Sequence, residues 1–190
     1  MEVKILDTFG TWRQVADAAR TTVGKDAGEG EPSSTWKRRI LLAEHSPIRL
    51  LSFRWRWTDM PWWVQTHFTR HKFGVEWFVS TSREDRTGVP RQGKAQDAPV
   101  NVEGLANAQA IINISRKRLC SMAAPETRLA WMMLLRELKQ WEPELAAVCV
   151  PECVYRGHCY EFRGCGYGQT NTFFREWQKY RGEEILSADK

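Results

Sequence analysis

Residues 51–58 read Leu-Ser-Phe-Arg-Trp-Arg-Trp-Thr, so Leu51, Phe53, Trp55 and Trp57 alternate with Ser52, Arg54, Arg56 and Thr58. Successive side chains of a strand point to opposite faces, and a period of two therefore makes one face apolar and the other basic. The chain must build a sheet with one face in a core. Two further segments read as strands: residues 3–9, which alternate, and residues 75–81 (Val-Glu-Trp-Phe-Val-Ser-Thr). Helical signals lie between them. Thr11 caps a helix through Val15, Ala18 and Ala19, residues 35–44 form a second, and Pro61 opens a third that runs through Val64 and Phe68 toward Arg70. A helix is predicted over 102–118, and another after Pro125 with Leu129, Met132, Met133, Leu135 and Leu138 as core. Residues 25–34 and 82–100 are polar loops. The second is long enough to be either functional or disordered. Phe173, Phe174, Trp177 and Tyr180 recur at helical spacing near the end, as packing residues.

With 190 residues, 42% of them hydrophobic and 27% charged, the chain fits one globular domain with a real core. It has no internal repeat. No apolar run approaches the roughly 20 residues that span a bilayer, and the first residues lack the basic-then-apolar plan of a signal peptide. The expectation is a soluble, cytoplasmic protein without a membrane partner. A net charge of +5 favours anionic partners, free nucleotides as well as DNA. The five cysteines are an odd number in a chain without a secretory signal, which speaks for reduced thiols or a metal site over a disulfide framework. Four of them, Cys149, Cys153, Cys159 and Cys165, share a loop-like stretch with His158. Their spacing is not that of paired Cys-x-x-Cys knuckles, so reduced structural thiols are preferred to zinc and no metal is assigned.

The sharpest local feature is Thr69-Arg70-His71-Lys72, followed by a strand that ends in Ser80-Thr81-Ser82-Arg83-Glu84-Asp85-Arg86. This sets two cations and an imidazole at a helix-to-strand junction, with hydroxyls and two more arginines at the strand's far end. Such a set suits phosphate and polar-ring recognition, because arginine offers paired donors and strand-end hydroxyls add neutral ones. A surface charge cluster is the ordinary alternative. On the predicted 102–118 helix, Asn107 and Arg118 are eleven residues apart, about 1100° of rotation, and so share a stripe to within roughly 20°. A neighbouring stripe carries Gln109 and Asn113. Taken alone, that helix reads as having a solvated polar face.

Arg70-His71-Lys72, seven residues, then Ser80 resembles the Arg-His-Arg, seven residues, Ser signature of flavin-dependent thymidylate synthases. The resemblance extends to Val15-Ala16-Asp17-Ala18-Ala19-Arg20, to Glu44-His45-Ser46-Pro47, and to Asn107, Asn113 and Arg118 followed by Ala123-Ala124-Pro125-Glu126-Thr127. The four segments keep the family's order over most of residues 11–130. The fold implied is a single α/β domain over 1–190, a twisted, largely antiparallel sheet flanked by helices, with a cysteine-rich segment at about 149–166. The family also implies a homotetramer with FAD and nucleotide at subunit contacts.

Carried over by residue, the resemblance has Arg70, His71 and Lys72 contact the flavin, with Arg70 also reaching the nucleotide. Asn107 and Asn113 touch the flavin from the long helix, and His45 and Thr22 line its adenosine or isoalloxazine side. Ser80 sits at the nucleotide phosphate, and Arg118 binds and polarises the uracil ring. The implied reaction is reductive methylation of dUMP to dTMP, with methylenetetrahydrofolate as carbon donor and NADPH as reductant. No protein nucleophile is then needed, and Cys120 reads as a packed helix cysteine.

Three positions depart from the family's pattern. Lys72 replaces an arginine, Phe78 a glutamate, and Gln109 the arginine of an Asn-x-Arg helix. The stretch from Ser80 to Asn107 is also short and lacks the helix that supplies a phosphate-binding arginine, a role that falls to Arg83, Arg86 or Arg91. These changes leave open transfer of a hydroxymethyl group to a pyrimidine deoxynucleotide. From another class, a basic, tryptophan-rich nucleic-acid binder would use Arg54, Arg56 and exposed aromatics.

Overall fold

A computed structural model describes residues 1–182; the last eight positions of the expected 1–190 domain lie outside the described residues. Its centre is a four-stranded antiparallel sheet of β1 (Glu2–Phe9), β2 (Ser52–Pro61), β3 (Val75–Val79) and β4 (Pro99–Asn107), in the order β1-β2-β4-β3. Around it lie α1 (Trp12–Thr21), α2 (Ser34–Leu42), α3 (Trp62–Phe68), α4 (Glu84–Thr87), α5 (Ala108–Arg118), α6 (Pro125–Trp141), α7 (Pro143–Val148), α8 (Glu152–Arg156) and α9 (Asn171–Arg181). This is the expected α/β architecture, a largely antiparallel sheet flanked by helices. None of the described helices is long and apolar enough to cross a membrane.

The alternation in β2 does what its period requires. Phe53, Trp55 and Trp57 are buried, and α3 and α6 pack over that side of the sheet. On the other face Arg54 is bonded to Asp7 and Glu103, and Arg56 to Glu103. The basic stripe is thus neutralised across strands, and two of the three aromatic residues beside it in sequence, Trp55 and Trp57, are wholly inside. Neither set is free to follow a phosphate backbone.

The structure corrects the helix predicted over 102–118. Residues 99–107 form β4, and α5 starts only at Ala108, with Asn107 as its N-cap accepting from the Ala110 amide at 2.9 Å. Val102, Leu105 and Ala106 mimic helical spacing. The burial pattern is nevertheless of period two, with Val100, Val102, Gly104 and Ala106 inside. Gly104 decides the matter physically: a Cβ there would stand 2.3 Å from Cζ2 of Trp55, so only a glycine lets β4 pass over that indole. Smaller corrections concern the loops. The 82–100 loop contains the short α4, and its end is tied to the start of α3 by Trp62 N–H to the Ala98 carbonyl at 3.0 Å. The cysteine-rich stretch contains α8, stopped by Gly157 in the left-handed region at φ 74°.

Candidate functional site

Loop 69–74 leaves the end of α3 and runs back along α5. At one end, the Gly74 carbonyl accepts the Asn107 N–H at 3.0 Å, and a Cβ on Gly74 would stand 2.8 Å from the Asn107 amide nitrogen. At the other, Arg118 Nε donates to His71 Nε2 at 3.0 Å and Arg118 Nη2 donates to the His67 carbonyl. The Arg70-His71-Lys72 loop is therefore held between Asn107 and Arg118, the two ends of α5. The His71 carbonyl accepts the Trp77 indole N–H at 3.1 Å, which fixes the loop to the first residues of β3.

The electrostatics of this cluster are one-sided. Among the described residues no carboxylate pairs with Arg70, Lys72 or Arg118. Burial, and then the neighbouring Arg70, lower the Arg118 pKa, though guanidinium stays charged throughout the protein range. Burial and then Arg118 push His71 down to about 4. His67 is lowered by burial, then by Arg118 and Arg70, and its Nδ1 is 2.7 Å from the Thr127 hydroxyl. Because Nε2 of His71 accepts from Arg118, His71 is neutral with its proton on Nδ1. Two guanidiniums and a lysine with no acid between them form a place for an anion. Phe73, 92% exposed, stands beside them as an open aromatic surface.

The sign of the His71 shift gives a test. Between pH 6.5 and about 4 the unfolded chain holds a proton on this residue that the folded chain does not, so stability is full above that window and falls as pH drops through it. His71→Gln is expected to flatten part of this slope. His67, shifted the same way, adds to it. Urea unfolding at pH 7, 6 and 5 checks it, and equal slopes in both proteins would show that His71 is not held neutral.

The other expected residues fall into separate groups. Asn113 accepts from Arg116 Nη1 at 3.1 Å and from Gln109 Nε2 at 3.4 Å, while Glu44 accepts from the same Gln109 and Arg116. This binds Asn113 to the Glu44–His45 turn, on a different face of α5 from Arg118. His45 is exposed next to Glu44, which itself sits at a positive φ of 48°. Thr22 closes α1, its hydroxyl donating to the Ala19 carbonyl at 2.7 Å. Ser80 lies at the opposite end of β3 from His71, roughly 20 Å of extended chain away. It pairs with Asn101 of β4 through both its N–H, at 2.9 Å, and its hydroxyl, at 3.0 Å. Arg83 is bonded to Asp85 at 2.6 and 3.0 Å, and Arg86 and Arg91 are exposed near it. The chain thus holds Arg70, His71 and Lys72 on one loop pinned by Arg118 at one end and by Asn107 at the other, and it keeps Asn113 with His45, Thr22, and the Ser80–Arg91 group apart from them.

Sequence reasoning missed His67 and Thr127. His67 precedes His71 by four residues, but nothing in the sequence pairs it with Thr127, sixty positions further on. It also missed Arg116, three residues after Asn113 on the same helical stripe.

No protein-family model matches the chain, and no curated protein is similar to it in sequence. Similar solved structures exist. The chain is similar to the flavin-dependent thymidylate synthase ThyX from Helicobacter pylori complexed with FAD and dUMP, at 13% identity and a TM-score of 0.65, over 79% of this chain and 100% of that one. It is also similar to the UMP/dUMP methylase PolB from Streptomyces cacaoi bound with 5-Br dUMP, at 14% identity and a TM-score of 0.60, over 76% of this chain and 92% of that one. At these identities the likeness establishes the fold: the chain has the α/β architecture of ThyX-like proteins.

Proposed function

We propose that this chain is an FAD-dependent enzyme that reductively methylates dUMP to dTMP, with methylenetetrahydrofolate as carbon donor and NADPH as reductant, as a homotetramer in the cytoplasm. One observation carries the reading. Arg70 and His71 of the motif loop meet Arg118, 47 residues beyond His71, in a cation cluster that no carboxylate pairs among the described residues. Two neighbours in fold support it, one complexed with FAD and dUMP and the other bound with 5-Br dUMP.

In this reading Arg70 and Lys72 hold the cofactor's anionic groups, and Asn107, placed against Gly74, supports the loop that carries them. The cationic, acid-free cluster and the exposed Phe73 fit a dinucleotide with a flat ring. FAD supplies the redox step when bound. Arg118 presents its guanidinium to the uracil edge and stabilises negative charge as C5 becomes a nucleophile. His71, neutral and accepting from Arg118, fixes the guanidinium without cancelling its charge. Ser80 with Arg83, Arg86 or Arg91 serves the nucleotide phosphate. Their place at the far end of β3 supports a site completed between copies of the chain, where one protomer's phosphate group of residues meets its partner's base-binding cluster. His45, Asn113 and Thr22 belong to the cofactor side of such an assembly.

The purified protein is expected to be yellow, with the absorbance of bound FAD, and to convert dUMP to dTMP when given methylenetetrahydrofolate and NADPH. Arg70→Ala should release the flavin or abolish turnover, because a pyrophosphate needs charge-assisted donors in place. Full flavin content and full activity in that variant would make the motif match accidental. Mass analysis of the product decides between methylation and the hydroxymethyl alternative, whose product is one oxygen heavier. The departures at Lys72, Phe78 and Gln109 keep that alternative open: Phe78 is 56% exposed, and Gln109 is engaged by Glu44.

A further inference from the structure

We infer that a second ligand site, separate from the Arg70–Arg118 cluster, lies in the groove between α6, the end of α5 and the cysteine-rich segment, and that it takes an aromatic ring bearing two or more carboxylates. The groove has a volume of about 730 Å³, within the range of roughly 300–1,000 Å³ usual for small-molecule sites. It is back to back with the first site. Arg118 and Thr127 turn to His71 and His67, whereas their sequence neighbours Lys117 and Arg128 line the groove.

Its floor is unusually rich in sulfur. All five cysteines of the chain, from the α5–α6 connection, the end of α7, α8 and the loop beyond, line this one groove, together with Met122 and Met132. All five are free thiols. Burial pushes the Cys149 thiol up to about 12 and raises that of Cys153, so these groups stay neutral and soft. Neutral thiols and thioethers are polarisable apolar surface that favours contact with aromatic rings.

The rim is cationic. Arg128, Arg136, Lys139 and Lys179 line the groove and, among the described residues, have no ion pair. Of the three lining carboxylates, Glu152 is taken by Arg156 and Lys117, Glu176 accepts from the Tyr167 hydroxyl, and Glu161 is exposed. Among the described residues, the Nε of Arg128 is buried without a hydrogen-bond partner. A buried donor left unpaired is costly, and a guanidinium fork is matched by a carboxylate. Soft floor and guanidinium rim together select a ring with carboxylates over either a neutral aromatic or a small inorganic anion.

The probe is naphthalene-2,6-dicarboxylate, titrated into the full chain by calorimetry. One saturable site per chain is expected, with the neutral dimethyl ester binding at least tenfold more weakly. Arg128→Gln should weaken the dicarboxylate at least tenfold. Arg136→Gln, at an exposed position, should weaken it in the same direction. Arg70→Gln, which alters only the other cluster, should leave it unchanged. Three results overturn the inference: no saturation at millimolar probe, equal affinity for diacid and diester, or loss of binding in Arg70→Gln while both groove variants bind normally. The inference does not depend on the activity proposed above.

Discussion

Arg118→Ala is expected to lower kcat and kcat/KM for dTMP formation together, by about a hundredfold or more, while FAD remains bound. The guanidinium is held on one side only. Nε is used by His71 and Nη2 by the His67 carbonyl, which leaves Nη1 with no partner among the described residues. Neither of the two bonds brings in a negative charge, so the full positive charge is available to whatever faces Nη1. A donor of this kind acts where charge develops, so its loss appears in the transition state more than in substrate binding. Arg118→Lys should recover only part of the activity, because an ammonium lacks the planar fork. The contrary case is definite. Arg118 ends α5, and a cation in the last turn stabilises a helix by only a few tenths of a kcal/mol up to about 1 kcal/mol. An Arg118→Ala protein with unchanged folding, dUMP binding and turnover would leave it that minor role alone.

The parts of the fold that could be read in the sequence are those in which local pattern and tertiary packing agree. β2 is such a case: its alternation survives because Phe53, Trp55 and Trp57 are all buried, with the two indoles against α3 and α6. β4 is the opposite case. Its buried positions are Val100, Val102, Gly104 and Ala106, two of them too small to register as apolar, while the large Leu105 points outward, so the visible pattern was that of the neighbouring helix. What shrank those residues is Trp55, a cross-strand partner of Gly104 some fifty positions earlier. In the sequence Asn107 reads as lying within the predicted helix, on the Arg118 stripe, whereas it caps α5, whose first residue, Ala108, comes six positions after the predicted start at 102. The site shows the same division. Arg70, His71 and Arg118 were found by resemblance, and His67 and Thr127 were not, because a 2.7 Å contact across sixty residues leaves no trace in spacing. Asn113 illustrates the reverse error of grouping. It shares a helix with Arg118, yet Glu44 and Arg116 draw it to another face.

The largest stability effect is expected at Trp57. The indole is fully buried; it stacks on Phe68 at 4.9 Å and on Trp77 at 6.2 Å, and meets Trp55 edge-on at 5.5 Å. Its Nε1–H donates to the Ala130 carbonyl at 3.2 Å, so one side chain joins β2, β3, α3 and α6. Trp57→Ala leaves a cavity that these elements cannot close without moving together, at a cost of about 3–5 kcal/mol. That is a large share of the roughly 5–15 kcal/mol by which domains are stable. For a chain of this size it corresponds to a fall in Tm of roughly 6–20 °C. Trp57→Phe keeps a stacking ring and should lose much less. Arg54→Ala, on the solvated face of the same strand, should lose far less despite breaking two ion pairs, because exposed pairs are screened by solvent. The ordering matters for function because Trp77, stacked on Trp57, holds the His71 carbonyl. If the aromatic stack positions the motif loop, Trp57→Phe should retain the neutral state of His71 at pH 6 and Trp57→Ala should not, as NMR of the imidazole would show. A Trp57→Ala protein within about 1 kcal/mol of wild type, with His71 still neutral, would mean that the sheet and α6 hold the loop without the stack.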